Sequence, residues 1–146
     1  MLRTGDIIMN WKLIFLLSLF GVAIAVVSLF GLSKPIEMSL WLVIFIFYAI
    51  MIVKYTHGKY FLHGLLVSLF NGIWIAVIHS ACFDMYIANN PEQAEMAAQF
   101  PPSIPPQMMM LIIGPLVGLI FGVVAGLFAV VAGKIMKKNP PTEVQT

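Results

Sequence analysis

The chain has 146 residues, of which 61% are hydrophobic and only 10% are charged, and its formal net charge is +2. In soluble domains about a quarter of the residues are charged, so this composition excludes an ordinary soluble globular protein and indicates an integral membrane protein. The small positive charge gives no reason to expect nucleic-acid binding, and the single cysteine, Cys82, excludes an intrachain disulfide and a Cys-x-x-Cys redox or zinc centre.

The first apolar run, at about residues 13–32, is predicted to be an uncleaved membrane span. At roughly 20 residues it is long enough to cross the hydrocarbon core and longer than the core of a typical secretory signal. An Ala-x-Ala sequence, Ala23–Ala25, lies inside the run instead of after it. A signal peptide is the minor alternative. Met9 also resembles a natural start, so the sequence leaves the start of translation open between Met1 and Met9.

Three further apolar stretches are predicted to cross a membrane, at about residues 36–53, 60–83 and 108–136. Glu37 interrupts the second stretch near its beginning, and the last is long enough to tilt. The connections on either side of the second span are short, which predicts that consecutive helices are antiparallel neighbours. The sequence therefore predicts an all-α fold: a single domain over residues 1–146 that forms an integral membrane four-helix bundle with short hairpin connections and one longer outer loop.

The longer connection, residues 84–107, has signals of internal structure. Asn90 is followed by proline and then glutamate, which predicts that Asn90 caps a short helix at about residues 91–99. Met96 and Phe100 would allow this helix to lie on the membrane surface. Four prolines after the helix predict an extended run into the last span.

Basic residues are concentrated on one side of the predicted spans. All lysines and arginines except Lys34 lie before the first span, between the second and third spans, or at the end of the fourth. Lys34 lies on the opposite side of the membrane, where Glu37, Asp84, Glu92 and Glu95 are also found. The positive-inside rule then puts both termini in the cytoplasm. The asymmetry argues against small exporters and fluoride channels that insert both ways round. The remaining basic residues are Arg3, Lys12, Lys54, Lys59, Lys134, Lys137 and Lys138.

The fourth predicted span carries a glycine ladder, with glycine at every fourth position. Such a bare stripe lets another backbone approach closely, and small residues also recur on the first span. We expect these two spans to meet along their stripes within one chain; the alternative is pairing between chains, which would make a homo-oligomer and a pore. Pro115 is a candidate gate hinge, although we favour a role in setting the angle between the loop and the span. The stripes are Gly114, Gly118, Gly122 and Gly126, and Ser18, Gly21, Ala25 and Ser28.

The third predicted span carries almost all of the polarity. Its polar residues advance by threes and fours and lie close to one helical face. Polar groups inside a membrane are candidates for a functional site, but they also serve as hydrogen-bonding contacts between helices, and we favour the second interpretation. This polar stripe comprises Ser68, Asn71, His79, Cys82 and Tyr86.

The sequence shows no catalytic constellation and no cofactor-binding motif. His79 and Asp84 diverge by about 140° around a helix, so with Cys82 they do not predict a metal site. We therefore expect no enzymatic activity and favour a structural or accessory subunit that lies in the lipid bilayer and binds another membrane protein through the outer loop. The alternative function is a small homo-oligomeric channel or transporter that uses the polar stripe and the glycine ladder.

Three segments are typical of one class of small membrane proteins: Gly58–Gly64, Tyr86–Glu92 and Met109–Gly126. Through these segments the chain resembles small four-span proteins of bacterial inner membranes. The resemblance implies a multi-pass protein of the bacterial cytoplasmic membrane. No activity is attached to that class, so the resemblance implies none here.

Overall fold

A computed structural model describes residues 8–138, with side chains up to residue 136, and contains only helices and their connections in that range. The prediction of an all-α fold is confirmed, and four of the helices are long and apolar enough to cross a membrane. Met1, Arg3 and the side chains of Lys137 and Lys138, on which some predictions depend, lie outside the described part. The helices are α1 (Trp11–Ser28), α2 (Lys34–Tyr55), α3 (Tyr60–Ala81), α4 (Phe83–Asn89), α5 (Pro91–Ala98) and α6 (Pro106–Lys138).

We name the two ends of the four long helices by the residues that lie there. The inner end holds the beginning of α1 and the connection between α2 and α3. The outer end holds the connection between α1 and α2 and the segment from α4 to the beginning of α6. These names describe positions in the molecule only.

The first helix ends at Ser28, earlier than the predicted end at residue 32. At its beginning, the Asn10 side chain accepts a hydrogen bond from the Leu13 N–H (3.1 Å), which satisfies one of the free donors of the first turn. After its end the chain reverses through Gly31, whose φ of +83° is a conformation that L side chains rarely adopt. A Cβ at Gly31 would lie 2.7 Å from the Asn89 carbonyl oxygen, so only glycine fits.

The second long helix is longer than predicted, and the third is shorter. α2 has 22 residues and begins before the predicted residue 36, with Pro35 and Glu37 in its first turn. Both residues suit that position, because proline needs no hydrogen-bond donor there and a carboxylate complements the helix dipole. Glu37 therefore does not interrupt the helix. α3 ends at Ala81, before the predicted residue 83, and Cys82 separates it from α4.

The fourth long helix, α6, has 33 residues and contains Pro115. The helix continues through Pro115 without interruption. A hinge at this residue stays a prediction.

The central helix of the molecule is α3. It packs most extensively against α6 and next against α1, whereas α2 packs mainly against α6 and contacts α1 and α3 only slightly. The contacts of α2 with α1 and α3 that the short loops predict are present, but its most extensive contact, with α6, was not predicted. The prediction that the first and fourth spans meet along their small residues is wrong, because both stripes lie against α3.

The contact between α3 and α6 explains this correction. α3 has its own series of small residues at every fourth position, Gly64, Ser68, Gly72 and Ala76, and these lie opposite the glycine ladder. A Cβ built on Gly64 would lie 2.7 Å from the Gly126 Cα, and a Cβ on Gly118 would lie 2.9 Å from the Ser68 carbonyl oxygen. The two backbones are therefore in direct contact, which only small residues allow.

Apolar side chains of all four long helices fill the space between them. Tyr48 is completely buried, and two aromatic rings pack on it, Phe20 of α1 and Phe45 of α2; Phe128 of α6 in turn lies against Phe45. Large apolar side chains on the opposite helix faces are exposed, as expected for helices whose outer faces contact lipid. The core residues are Leu13, Ile14, Leu17, Ile44, Phe45, Tyr48, Ile52, Val67, Ala125 and Ala129.

Candidate functional site

The polar stripe reaches deepest at Asn71, in the middle of α3. Its Oδ1 accepts a hydrogen bond from the Gly21 N–H (2.9 Å), and its Nδ2 donates one to the Tyr48 hydroxyl (2.9 Å). Asn71 is 2% exposed, and a Cβ on Gly21 would lie 2.6 Å from its Oδ1. One side chain thus connects α1, α2 and α3, and the glycine is what lets α1 approach it.

A second polar contact lies near the outer end, at His79. Its Nε2 shares a hydrogen bond of 2.7 Å with the Ser28 hydroxyl, which also donates to the Ala25 carbonyl (2.8 Å). Because a serine hydroxyl has one proton, this pattern assigns the donor proton to His79 Nε2. The Tyr86 ring stacks on the imidazole, with centroids 3.8 Å apart.

Tyr86 lies in α4, outside the four long helices, and is itself buried. Burial and, to a smaller extent, the Glu37 carboxylate raise the pKa of its phenol to about 12. Both effects disfavour a phenolate at this position. Tyr86 is therefore a neutral ring that covers His79.

The other members of the predicted stripes also make structural contacts. The Trp74 indole donates to the Ser18 hydroxyl (3.2 Å), and that hydroxyl donates to the Phe15 carbonyl (2.7 Å). Ser68 is buried in the contact with α6, and Cys82 is half-buried at the junction of α3 and α4. The structure thus brings the stripe of α1 together with the polar stripe of α3, which the sequence did not predict.

The connection at the outer end is fastened to α1 by two asparagines. The Asn89 amide donates to the Leu29 carbonyl (3.0 Å), and the Asn90 amide donates to the Ser28 carbonyl (2.9 Å). The last carbonyls of a helix lack partners within it, and these amides satisfy them from about 60 residues away in sequence. As predicted, Asn90 is the N-cap residue of a short helix that begins at Pro91, but its side chain makes no cap hydrogen bond to α5 and bonds to α1 instead.

At the inner end, His63 makes two hydrogen bonds that sequence reasoning missed. Its Nε2 accepts from the Asn10 N–H (3.1 Å), and its Nδ1 donates to the Lys59 carbonyl (2.9 Å). His63 is 1% exposed. The signal was present in the sequence, because His63, Val67 and Asn71 follow one another at intervals of four on the same face of α3.

Two apolar cavities lie beside the outer half of the contact between α3 and α6. One, of about 210 Å³, is lined by Met96 of α5, by Phe100 just after α5 and by His79, so this part of the outer connection lies over the long helices. The other, of about 290 Å³, lies between α2, α3 and α6, with Lys34 and Glu37 among its lining residues.

Comparison with known proteins gives no family for this chain. No family model matches it, and no match was found among curated proteins or solved structures. The function must therefore be argued from the geometry alone. In the described part of the chain, no group of three or more histidine, cysteine, aspartate or glutamate side chains is placed to hold a metal ion.

Proposed function

We propose that this chain is a multi-pass protein of the bacterial cytoplasmic membrane, a four-helix bundle that serves as a structural or accessory subunit for another membrane protein. Both termini lie in the cytoplasm, and the outer connection faces the partner. The long apolar helices with exposed apolar faces support the location in a bilayer.

The distribution of charge supports the orientation. Lys12, Lys54 and Lys59 lie at the inner end of the molecule. The described carboxylates, by contrast, belong to the first turn of α2 and to the segment of α4 and α5, at the outer end. By the positive-inside rule, the inner end is cytoplasmic.

The observation that carries the accessory role is the attachment of the outer connection to α1. Asn89 and Asn90 hold it to the last turn of α1, and Ser80 donates to the Gln107 carbonyl (3.2 Å) where α6 begins. α4 and α5 therefore form a fixed surface instead of a loose loop. Glu92, Glu95 and other exposed residues on this surface are available to a partner.

The channel alternative has less support. It used the polar stripe and the glycine ladder, and both are occupied within the chain: Asn71 and His79 are hydrogen-bonded to other helices, and the ladder lies against α3. A pore formed between several copies of the chain would have to be lined by a surface other than these two stripes.

Copurification from native membranes tests the accessory role. We expect a Glu92→Lys and Glu95→Lys double variant, which changes exposed charges without touching a hydrogen bond of the structure, to lose its copurifying membrane protein. The matched control is a Lys34→Gln and Glu37→Gln variant, which also alters charge at the outer end but on α2. If the α5 variant retains all copurifying proteins, or if the control loses the same ones, the outer connection is not the partner-binding surface.

A further inference from the structure

A pocket of about 450 Å³ lies at the inner end, between the beginning of α1 and the connection from α2 to α3. We propose that it binds the phosphate-bearing headgroup of an anionic phospholipid. This inference rests on the proposed location of the protein in a membrane, and it adds a ligand that the accessory role does not require. The residues that matter for it are Trp11, Lys12, Tyr55, His57 and Lys59, all of which line the pocket.

The charge of the pocket points to an anion. Lys12 and Lys59 both line it, and neither makes an ion pair with any described carboxylate; the ion pair between described side chains joins Lys34 and Glu37 at the opposite end. Lys54 lies next to the pocket, over the Tyr55 ring, with its Nζ 5.4 Å from the ring centroid. Several cations without acidic partners at the cytoplasmic boundary of a membrane protein are the arrangement that attracts anionic headgroups.

The walls of the pocket are held in place by His63. One ring nitrogen of this buried side chain binds the backbone of Asn10, beside Lys12, and the other binds the backbone of Lys59. The side-chain amide of Asn10 also donates a hydrogen bond to the Tyr55 carbonyl (3.4 Å). The two lysines thus extend from backbone segments that are fixed relative to each other, which reduces the entropy lost when both bind one phosphate.

The backbone conformation of Lys59 adds an independent observation. Its φ is +51°, and it is the only residue other than glycine with a positive φ in the described part of the chain. Glycine adopts this conformation without strain, whereas a lysine does so at a conformational cost. Strain of this kind is typical of functional positions, and here it occurs at a basic residue that lines the pocket.

The surroundings favour a lipid over a soluble phosphate compound. Trp11 and Tyr55 both line the pocket and are more than half exposed, at 57% and 52%. Amphipathic aromatic side chains of this kind concentrate at the level of lipid headgroups. A phospholipid can therefore place its phosphate between the lysines while its acyl chains lie along the apolar faces of α1 and α2.

Native mass spectrometry of the full chain, released from nanodiscs that contain phosphatidylglycerol and phosphatidylethanolamine, tests the proposal. We expect retention of phosphatidylglycerol in preference to the zwitterionic lipid. Lys59→Gly and Lys12→Gln should each weaken this binding about fivefold, the effect of one basic residue near a membrane surface. Lys59→Gly also relieves backbone strain, which offsets the greater conformational freedom of glycine in the unfolded chain, so the variant should be about as stable as the parent chain and its loss of binding is not a folding defect.

Matched controls separate this site from general charge attraction. Lys134→Gln removes a cation of α6 that does not line the pocket, and it should leave binding unchanged. His63→Leu keeps every cation and should weaken lipid binding. His63→Gln should bind more lipid than His63→Leu, because its amide has both a donor group and an acceptor group that can replace part of the hydrogen bonding of the imidazole.

Three results would overturn the proposal: equal retention of both lipids, an equal loss of binding in the Lys134 and Lys59 variants, or displacement of the lipid by inorganic phosphate at the lipid's own concentration. The last would assign the pocket to a soluble phosphate compound. Failure of the chain to enter nanodiscs at all would instead contradict the proposed membrane location. The accessory role is tested by copurification and is independent of all these outcomes.

Discussion

Replacing Gly72 by alanine should weaken the contact between α3 and α6 by an amount that the structure allows us to work out. The new Cβ would lie 2.5 Å from the Gly114 carbonyl oxygen and 2.8 Å from the Gly118 Cα, whereas ordinary contact begins at about 3.4 Å. The shortfall is about 0.9 Å (3.4 minus 2.5). Both obstructing atoms belong to backbone, so the helices must move apart instead of a side chain rotating.

Overpacking of this kind costs about 1–3 kcal/mol, and the better helix propensity of alanine offsets at most about 1 kcal/mol. We therefore expect Gly72→Ala to lower the free energy of unfolding by about 1–2 kcal/mol. The assay is unfolding in mixed micelles on addition of a denaturing detergent, followed by tryptophan fluorescence. Gly58→Ala is the matched control, because a Cβ at Gly58 meets nothing within 4 Å, and it should change stability by less than about 0.5 kcal/mol. Equal stability of the two variants would refute the close contact.

Three further predictions follow from individual contacts. Asn71→Leu removes hydrogen bonds to α1 and α2 and should lower the free energy of unfolding in micelles by about 0.6–1.7 kcal/mol. Solute flux in liposomes should not change; a change in flux would support the channel alternative. A double Asn89→Ala and Asn90→Ala variant should release α4 from the last turn of α1. Hydrogen exchange would detect this as faster amide exchange confined to residues 82–105, and unchanged exchange would show that these two side chains do not hold the connection to α1. Because the pKa of Tyr86 is raised to about 12 from 10.0, the folded state holds this proton more tightly, and stability should fall as pH rises from 10 towards 12, less so in Tyr86→Phe. Tyrosinate absorbance and unfolding measured across that range would check the sign.

The helices themselves were predictable from the sequence, because the length and hydropathy of an apolar run depend on local composition. The predicted bounds failed where residues distant in sequence contact a helix end. The last carbonyls of α1, at Ser28 and Leu29, accept hydrogen bonds from Asn90 and Asn89, and the apolar run beyond Ser28 gives no sign of that contact. Glu37 was misjudged for a different reason: a carboxylate weakens the interior of a span but is favourable in the first turn of a helix.

The partner of the glycine ladder was the main error. Small residues show that a helix has a close neighbour but do not say which one. The regularly spaced small residues Gly64, Ser68, Gly72 and Ala76 on α3 were visible in the sequence, yet the interpretation of this helix considered only its polar residues. Both features are needed together: one face of α3 meets α6 through glycines, and another meets α1 and α2 through Asn71.

Cysteine cross-linking in native membranes tests the central position of α3 most directly. In a Cys82→Ser background, Tyr60→Cys with Gly133→Cys should form an intrachain disulfide, because the atoms nearest to a Cβ at Gly133 all belong to the Tyr60 side chain that the substitution removes. Ser18→Cys with Gly118→Cys joins α1 and α6 and should not form one. These two positions are at a similar depth, because Gly21, one turn from Ser18, contacts Asn71 and Gly118 contacts Gly72. A cross-link between α1 and α6 without one between α3 and α6 would contradict the arrangement on which every other conclusion depends.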